Sequence, residues 1–153
     1  MTAIADRLAE LGVTIPTLPA PAGAYVPYAV SGNLVFTAGQ LPFTDGVLPA
    51  TGKVGAEVSP EDAKGYARTA VLNALAAVEA AIGSLDRVTR VVKLVGFVSS
   101  DPAFSGQPGV INGASDVLGE IFGEAGKHAR SAVGVAVLPL DSPVEVELIV
   151  EFA

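Results

Sequence analysis

Between Val144 and Phe152 every second residue is apolar: Val144, Val146, Leu148, Val150 and Phe152 share one parity, while Glu145, Glu147 and Glu151 fall between them. A period of two is the signature of a half-buried β-strand. The turn Pro139-Leu140-Asp141-Ser142-Pro143 precedes it, and before that comes a strand-like stretch, Ala132–Leu138, with Arg130 just ahead. Two adjacent antiparallel strands joined by this turn are expected to bring Arg130 and one glutamate together at one sheet end. A planar guanidinium aimed at an open cleft is a carboxylate receptor, because its donors match two carboxylate oxygens. A glutamate beside it would orient or deprotonate a water. The plain alternative is an ion pair on the rim of an edge strand, which contributes little.

The rest of the chain supplies a frame for such a site. Thr2 is expected to cap a short helix with Ile4, Leu8 and Leu11 on one face, ending at Gly12. The proline-rich stretch from Pro16 to Gly23 reads as a connector. Tyr25–Val30 and Leu34–Ala38 read as strands of a hairpin around Ser31-Gly32-Asn33, followed by a loop or loosely formed strand pair over Leu41–Gly55. Ser59-Pro60-Glu61-Asp62 starts a helix that runs to Ile82 and stops at Gly83. Val88–Val98 is a strand with an apolar run long enough for burial on both faces. A second main helix covers Val110–Phe122, with Val110, Ala114, Val117, Leu118, Ile121 and Phe122 facing inward. This order predicts one α+β domain over residues 1–153: a mixed β-sheet with two main helices on one face, a helical extension at 1–12 and a connector at 13–23.

Composition narrows the function. The formal charge is −7 and no lysine or arginine cluster occurs. A nucleic-acid partner would find no basic footprint. There is no cysteine, and His128 is the single histidine. Disulfides and thiolate chemistry are therefore excluded, and no metal site is expected. The first residues, MTAIADRLAELGV, read as an amphipathic helix rather than a leader, and no segment is apolar enough to span a membrane. A soluble cytoplasmic protein is expected. Hydrophobic residues make up 50% of the chain and charged ones 16%, a balance that suggests a subunit interface.

Taken singly, the candidate site residues have ordinary readings. Tyr25 is a packing tyrosine, Asn112 a helix-start hydrogen-bonding residue, Gln40 a polar residue after Gly39, and His128 a surface or interface histidine. Their combination is specific. Gly23-Ala24-Tyr25, Thr37-Ala38-Gly39-Gln40-Leu41-Pro42, Val110-Ile111-Asn112-Gly113-Ala114-Ser115, His128-Ala129-Arg130-Ser131-Ala132-Val133, Leu138-Pro139 and Val144-Glu145-Val146-Glu147 together resemble the RidA/YjgF/L-PSP family. The likeness runs from about Gly23 to Phe152 and points to a branch with an N-terminal helical extension.

The resemblance implies a chorismate-mutase-like fold, a homotrimer with ligand clefts between subunits, and no cofactor. It implies hydrolysis of reactive enamine and imine intermediates to 2-oxo acids and ammonia. Arg130 matches the arginine that binds the substrate carboxylate, and Glu145 the glutamate that positions the attacking water. Tyr25, Gly39, Asn112 and Ala132 match positions lining the cleft. Two departures stand out: Ala132 occupies a position that is usually cysteine, and Ala38 one that is usually serine. They leave a second reading open, a noncatalytic trimeric binder of 2-oxo acids or related small carboxylates.

Overall fold

The computed structural model describes residues 3–18 and 24–153. Its frame is a five-stranded sheet in the spatial order β1-β2-β5-β3-β4. The strands are β1 (Tyr28–Ser31), β2 (Leu34–Thr37), β3 (Val88–Ser99), β4 (Ala129–Val135) and β5 (Val144–Phe152). β1 and β2 form the expected hairpin, with Gly32 at a φ of 60° in its turn. β5 lies antiparallel between β2 and β3. β4 runs parallel to β3 on the far edge, an arrangement that requires a crossover, here through a helix.

Helix α2 (Pro60–Ile82) begins as its sequence dictates. The Ser59 hydroxyl accepts from the Asp62 amide at 3.1 Å, Pro60 sits in the first turn, and Gly83 ends the helix in the left-handed region. Its buried stripe is largely alanine, so its backbone approaches its neighbours closely. Helix α3 (Gln107–Phe122) starts three residues earlier than expected, with Pro108 in its first turn. Both helices cover the face of the sheet that carries Val91, Leu94, Val98, Val144, Val146, Leu148 and Val150, all buried. Each fully buried leucine or isoleucine here, such as Leu75, Leu94, Ile111 or Leu118, contributes about 1.5–3 kcal/mol.

Two glycines set the seating of α3. A Cβ on Gly113 would lie 1.9 Å from the Lys64 carbonyl of α2, and one on Gly96 would lie 2.5 Å from the Ile111 side chain. Only hydrogen at these positions lets α3 rest against both α2 and β3. Helix α1 (Ile4–Leu11) then buttresses α3, its Arg7 donating to the Glu120 carbonyl at 2.8 Å.

Several expectations need correction. The Thr2 cap lies outside the described residues; α1 starts after Ala3 with no side-chain cap, and the Ile4 amide donates to Asp86 instead. The first strand begins at Tyr28, not Tyr25. β4 covers Ala129–Val135 rather than Ala132–Leu138, so Arg130 is part of the strand and not ahead of it. β3 buries one face only, leaving Lys93, Val95 and Phe97 half-buried on the other. Finally, β4 and β5 are not neighbours. The turn between them spans β3, because parallel pairing with β3 carries β4 to the edge.

Candidate functional site

That last correction decides how Arg130 and Glu145 relate. Arg130 is in register with Leu94, a fully buried residue under the helices. Residues paired across strands point to the same side of a sheet, so Arg130 faces α3. Pro108, Asn112 and Ser115 follow one another at helical spacing along the stripe of α3 that meets it. Arg130 Nη1 donates to Ser115 Oγ at 3.1 Å and Nη2 to the Pro108 carbonyl at 3.3 Å. The guanidinium is half-buried and has no carboxylate partner among the described residues. Such a cation, fixed by neutral acceptors, has no opposing charge against it among the described residues. Ala132 is two residues further along the same face, level with Gly96, and presents only a methyl group.

Glu145 faces the other way. It pairs with Phe97 on the sheet face that no helix covers. The β2–β5 ladder is irregular beside it. Phe36 pairs with Ile149 and Gln40 with Val146, four steps on one strand against three on the other. The extra residue is taken up over Ala38 and Gly39, as a bulge beside a site commonly does. Thr37 Oγ1 accepts the Leu148 amide at 3.0 Å across the gap. The bulge presents Gly39 to the glutamate so closely that a Cβ there would lie 2.5 Å from Glu145 Oε1. Burial raises the pKa of Glu145 above the ordinary glutamate value, and the charge of Glu147 adds to the rise. Tyr25 stands exposed just before β1, and the Ala38 amide donates to the Pro27 carbonyl at 2.8 Å, which ties the Tyr25 segment to the Gly39 bulge.

The predicted residues therefore gather into two groups. Arg130, Asn112 and Ala132 sit where β4 meets α3; Glu145, Gly39 and Tyr25 sit at the bulged end of β2 and β5. The expectation that Arg130 and Glu145 meet at one sheet end within the chain does not hold, because they project from opposite faces. Reading the sequence singly missed Ser115 and the part played by His128. Ser115 Oγ lies 2.9 Å from His128 Nε2, and His128 Nδ1 lies 2.7 Å from the Gly126 carbonyl. The spacing of Ser115 three residues after Asn112 was the available signal. A cavity of about 510 Å³ opens elsewhere, between Pro16, Leu18, Gln40, Phe43 and Asn73, and neither Arg130 nor Glu145 lines it. Among the described residues no group of three or more His, Asp or Glu side chains is placed to hold a metal ion. None of the described helices is long and apolar enough to cross a membrane.

The fold and the arginine seated beneath α3 define a chorismate-mutase-like α+β domain. Residues 5–152 match the family described as "YjgF/chorismate_mutase-like, putative endoribonuclease". Protein TCP17 of Trypanosoma cruzi is 46% identical over 149 residues, covering 97% of this chain and 93% of that protein. The crystal structure of Atu1372 from Agrobacterium tumefaciens is similar with a TM-score of 0.91 at 46% identity, covering 98% of this chain and 92% of the other. Escherichia coli TdcF, solved with bound serine, has a TM-score of 0.66 at 28% identity, covering 89% and 94%. The chain belongs to the YjgF/RidA family.

Proposed function

We propose that this protein is a cofactor-independent deaminase, hydrolysing small carboxylate-bearing enamines and imines to 2-oxo acids and ammonia in clefts between the subunits of a homotrimer. The observation that carries the reading is the division of the site: a braced, unpaired arginine on one face of the sheet and a half-buried glutamate of raised pKa on the other. One chain cannot aim both at one small molecule. A second copy, bringing its Gly39–Glu145 end to the Arg130 edge of the first, can. The open sheet face supports such an assembly, since it carries Phe36 and Val133 exposed beside Val95, Phe97 and Ile149. Bare apolar faces of this kind mark interfaces.

In this arrangement Arg130 grips the substrate carboxylate and places the adjacent C=N carbon near a water held by Glu145. The Glu145 carboxylate takes a proton from the water as the water oxygen bonds to carbon, and the C=N pair moves to the nitrogen of the protonated imine, giving a neutral carbinolamine. Glu145 then returns that proton to the nitrogen and takes the hydroxyl proton as the C=O bond forms: the C–N bond breaks, ammonia leaves, and the 2-oxo acid remains on Arg130. A base whose pKa is raised toward the working pH suits this proton traffic, and an iminium carbon needs orientation more than activation. Ala132 contributes its backbone carbonyl at the water, a role that needs no thiol. TdcF with bound serine supports a small amino-acid-derived ligand.

A noncatalytic 2-oxo acid binder is the second reading, favoured by the methyl groups at Ala38 and Ala132. The endoribonuclease label of the family fits poorly with a charge of −7 and no basic cluster. The deciding assay generates imines from several amino acids with an amino-acid oxidase and follows 2-oxo acid and ammonia release with and without this protein. Acceleration that disappears in Arg130→Lys and Glu145→Gln supports the deaminase. Pyruvate binding without acceleration for any imine leaves the binder.

A further inference from the structure

We propose that Ser115 and His128 form a hydrogen-bond relay that holds Arg130 in its anion-binding pose, making His128 a positioning residue for that arginine. For a neutral imidazole the relay has one consistent direction. The Gly126 carbonyl can only accept, so His128 Nδ1, 2.7 Å away, carries the proton. The Nε2 of the neutral ring then has a free lone pair, and Ser115 Oγ at 2.9 Å donates to it. With its proton committed, the serine turns its lone pairs to Arg130 Nη1 at 3.1 Å, a group that can only donate. The anchor at the start is rigid: Gly126 is buried, and a Cβ there would lie 2.4 Å from the Leu118 carbonyl of α3. The Pro108 carbonyl holds the other terminal nitrogen.

Two of the five guanidinium hydrogens are thus occupied, and one remains on each terminal nitrogen. The fork for a carboxylate is still available, and its orientation is fixed before a ligand arrives. Without His128 the serine hydroxyl is free to turn its proton toward the guanidinium, which would push the arginine out of place. The functional consequence rests on reading Arg130 as the carboxylate receptor; the relay itself does not.

The test begins without ligand. His128 is the single histidine, so long-range ¹H–¹⁵N spectra at pH 8 report its ring unambiguously. The relay requires a protonated Nδ1 and an unprotonated Nε2. An Nε2–H tautomer, or a rapidly exchanging mixture, overturns it. Side-chain ¹⁵N relaxation of Arg130 should then show increased mobility in His128→Phe and in Ser115→Ala but near-parental order in His128→Gln, whose amide oxygen can take the place of Nε2. Pyruvate titrations should follow the same pattern: affinity weakened roughly fivefold in the Phe and Ala variants and held within about twofold in Gln, the scale of one hydrogen bond. Equal losses in Phe and Gln variants at unchanged melting temperature overturn the proposal. If the parent protein binds no pyruvate, the carboxylate reading falls, while the tautomer and the arginine mobility still decide the relay.

Discussion

Replacing Gly39 by alanine should impair Glu145 without touching it. The new methyl would stand 2.5 Å from Oε1, 2.9 Å from Cδ and 3.3 Å from Cγ of the glutamate. Carbon contacts settle near 3.5–4.0 Å, so the carboxylate must retreat by about 1 Å or swing to another rotamer. Gly39 has no left-handed backbone strain to forbid the change. Alanine reduces unfolded-chain entropy by about 0.4–1 kcal/mol, and an off-rotamer glutamate costs about 0.5–1.5 kcal/mol. The two nearly offset each other, and stability should stay within about 1 kcal/mol of the parent. Turnover should not, because a misplacement of about 1 Å in a catalytic group costs on the order of 10²-fold. The displaced carboxylate also moves toward water, which removes the burial that raises its pKa. The acid limb of the pH–rate profile should therefore shift to lower pH. Imine hydrolysis, pyruvate affinity and thermal unfolding on the same preparation check all of this. A folded Gly39→Ala protein that keeps the parental rate and pH profile would refute the placement of Glu145 in the mechanism.

Other substitutions probe the remaining parts. An acid whose pKa is raised in the folded state is penalised there when ionised; the penalty is full above the folded value and gone below the ordinary glutamate range. Glu145→Gln should accordingly raise the melting temperature at pH 8 but not at pH 4, while turnover drops roughly 10²–10⁴-fold; an equal gain at both pH values contradicts the assigned cause. Arg130→Lys should weaken pyruvate binding by about 2–3 kcal/mol, since a point charge cannot reproduce the fork, and calorimetry showing parental affinity would remove the arginine from the site. Light scattering should give about three times the 15.4 kDa chain mass, and a stable monomer at micromolar concentration would exclude the shared clefts. Gly113→Ala, with its Cβ 1.9 Å from the Lys64 carbonyl, should lose about 1–3 kcal/mol in urea unfolding because backbone, not a flexible tip, must yield.

The elements with local signals were legible in the sequence. Ser59-Pro60-Glu61-Asp62 and Gly83 bracketed α2 correctly because capping chemistry acts within one turn. Val144 to Phe152 announced β5 through its period of two. β4 was harder: Arg130 looked like a loop residue before a strand, yet seven parallel pairs to β3 draw Ala129–Val135 into the sheet and leave Val137 outside. Strand order is a non-local property, and nothing in the turn Pro139–Pro143 announces that it crosses β3. Family likeness picked out the candidate residues as a set, but their division between two faces was not legible. That division follows from the parity of Leu94 and Phe97 along β3, which only the register reveals. The contact between Ser115 and His128 was not legible, because the two stand on separate elements and only the fold brings them within 2.9 Å.

The placement of Arg130 and Glu145 on opposite faces has a genetic corollary. If each cleft of a head-to-tail ring takes its arginine from one subunit and its glutamate from the next, the two defects belong to different halves of the same cleft. Proteins bearing Arg130→Lys and Glu145→Gln, each inactive alone, should then complement one another when refolded together. Random mixing in equal amounts would leave about a quarter of the clefts with both functional groups, as heterologous contacts in a closed ring require. Two alleles that each fail in isolation would restore activity when expressed together, and neither would be fully dominant over the other.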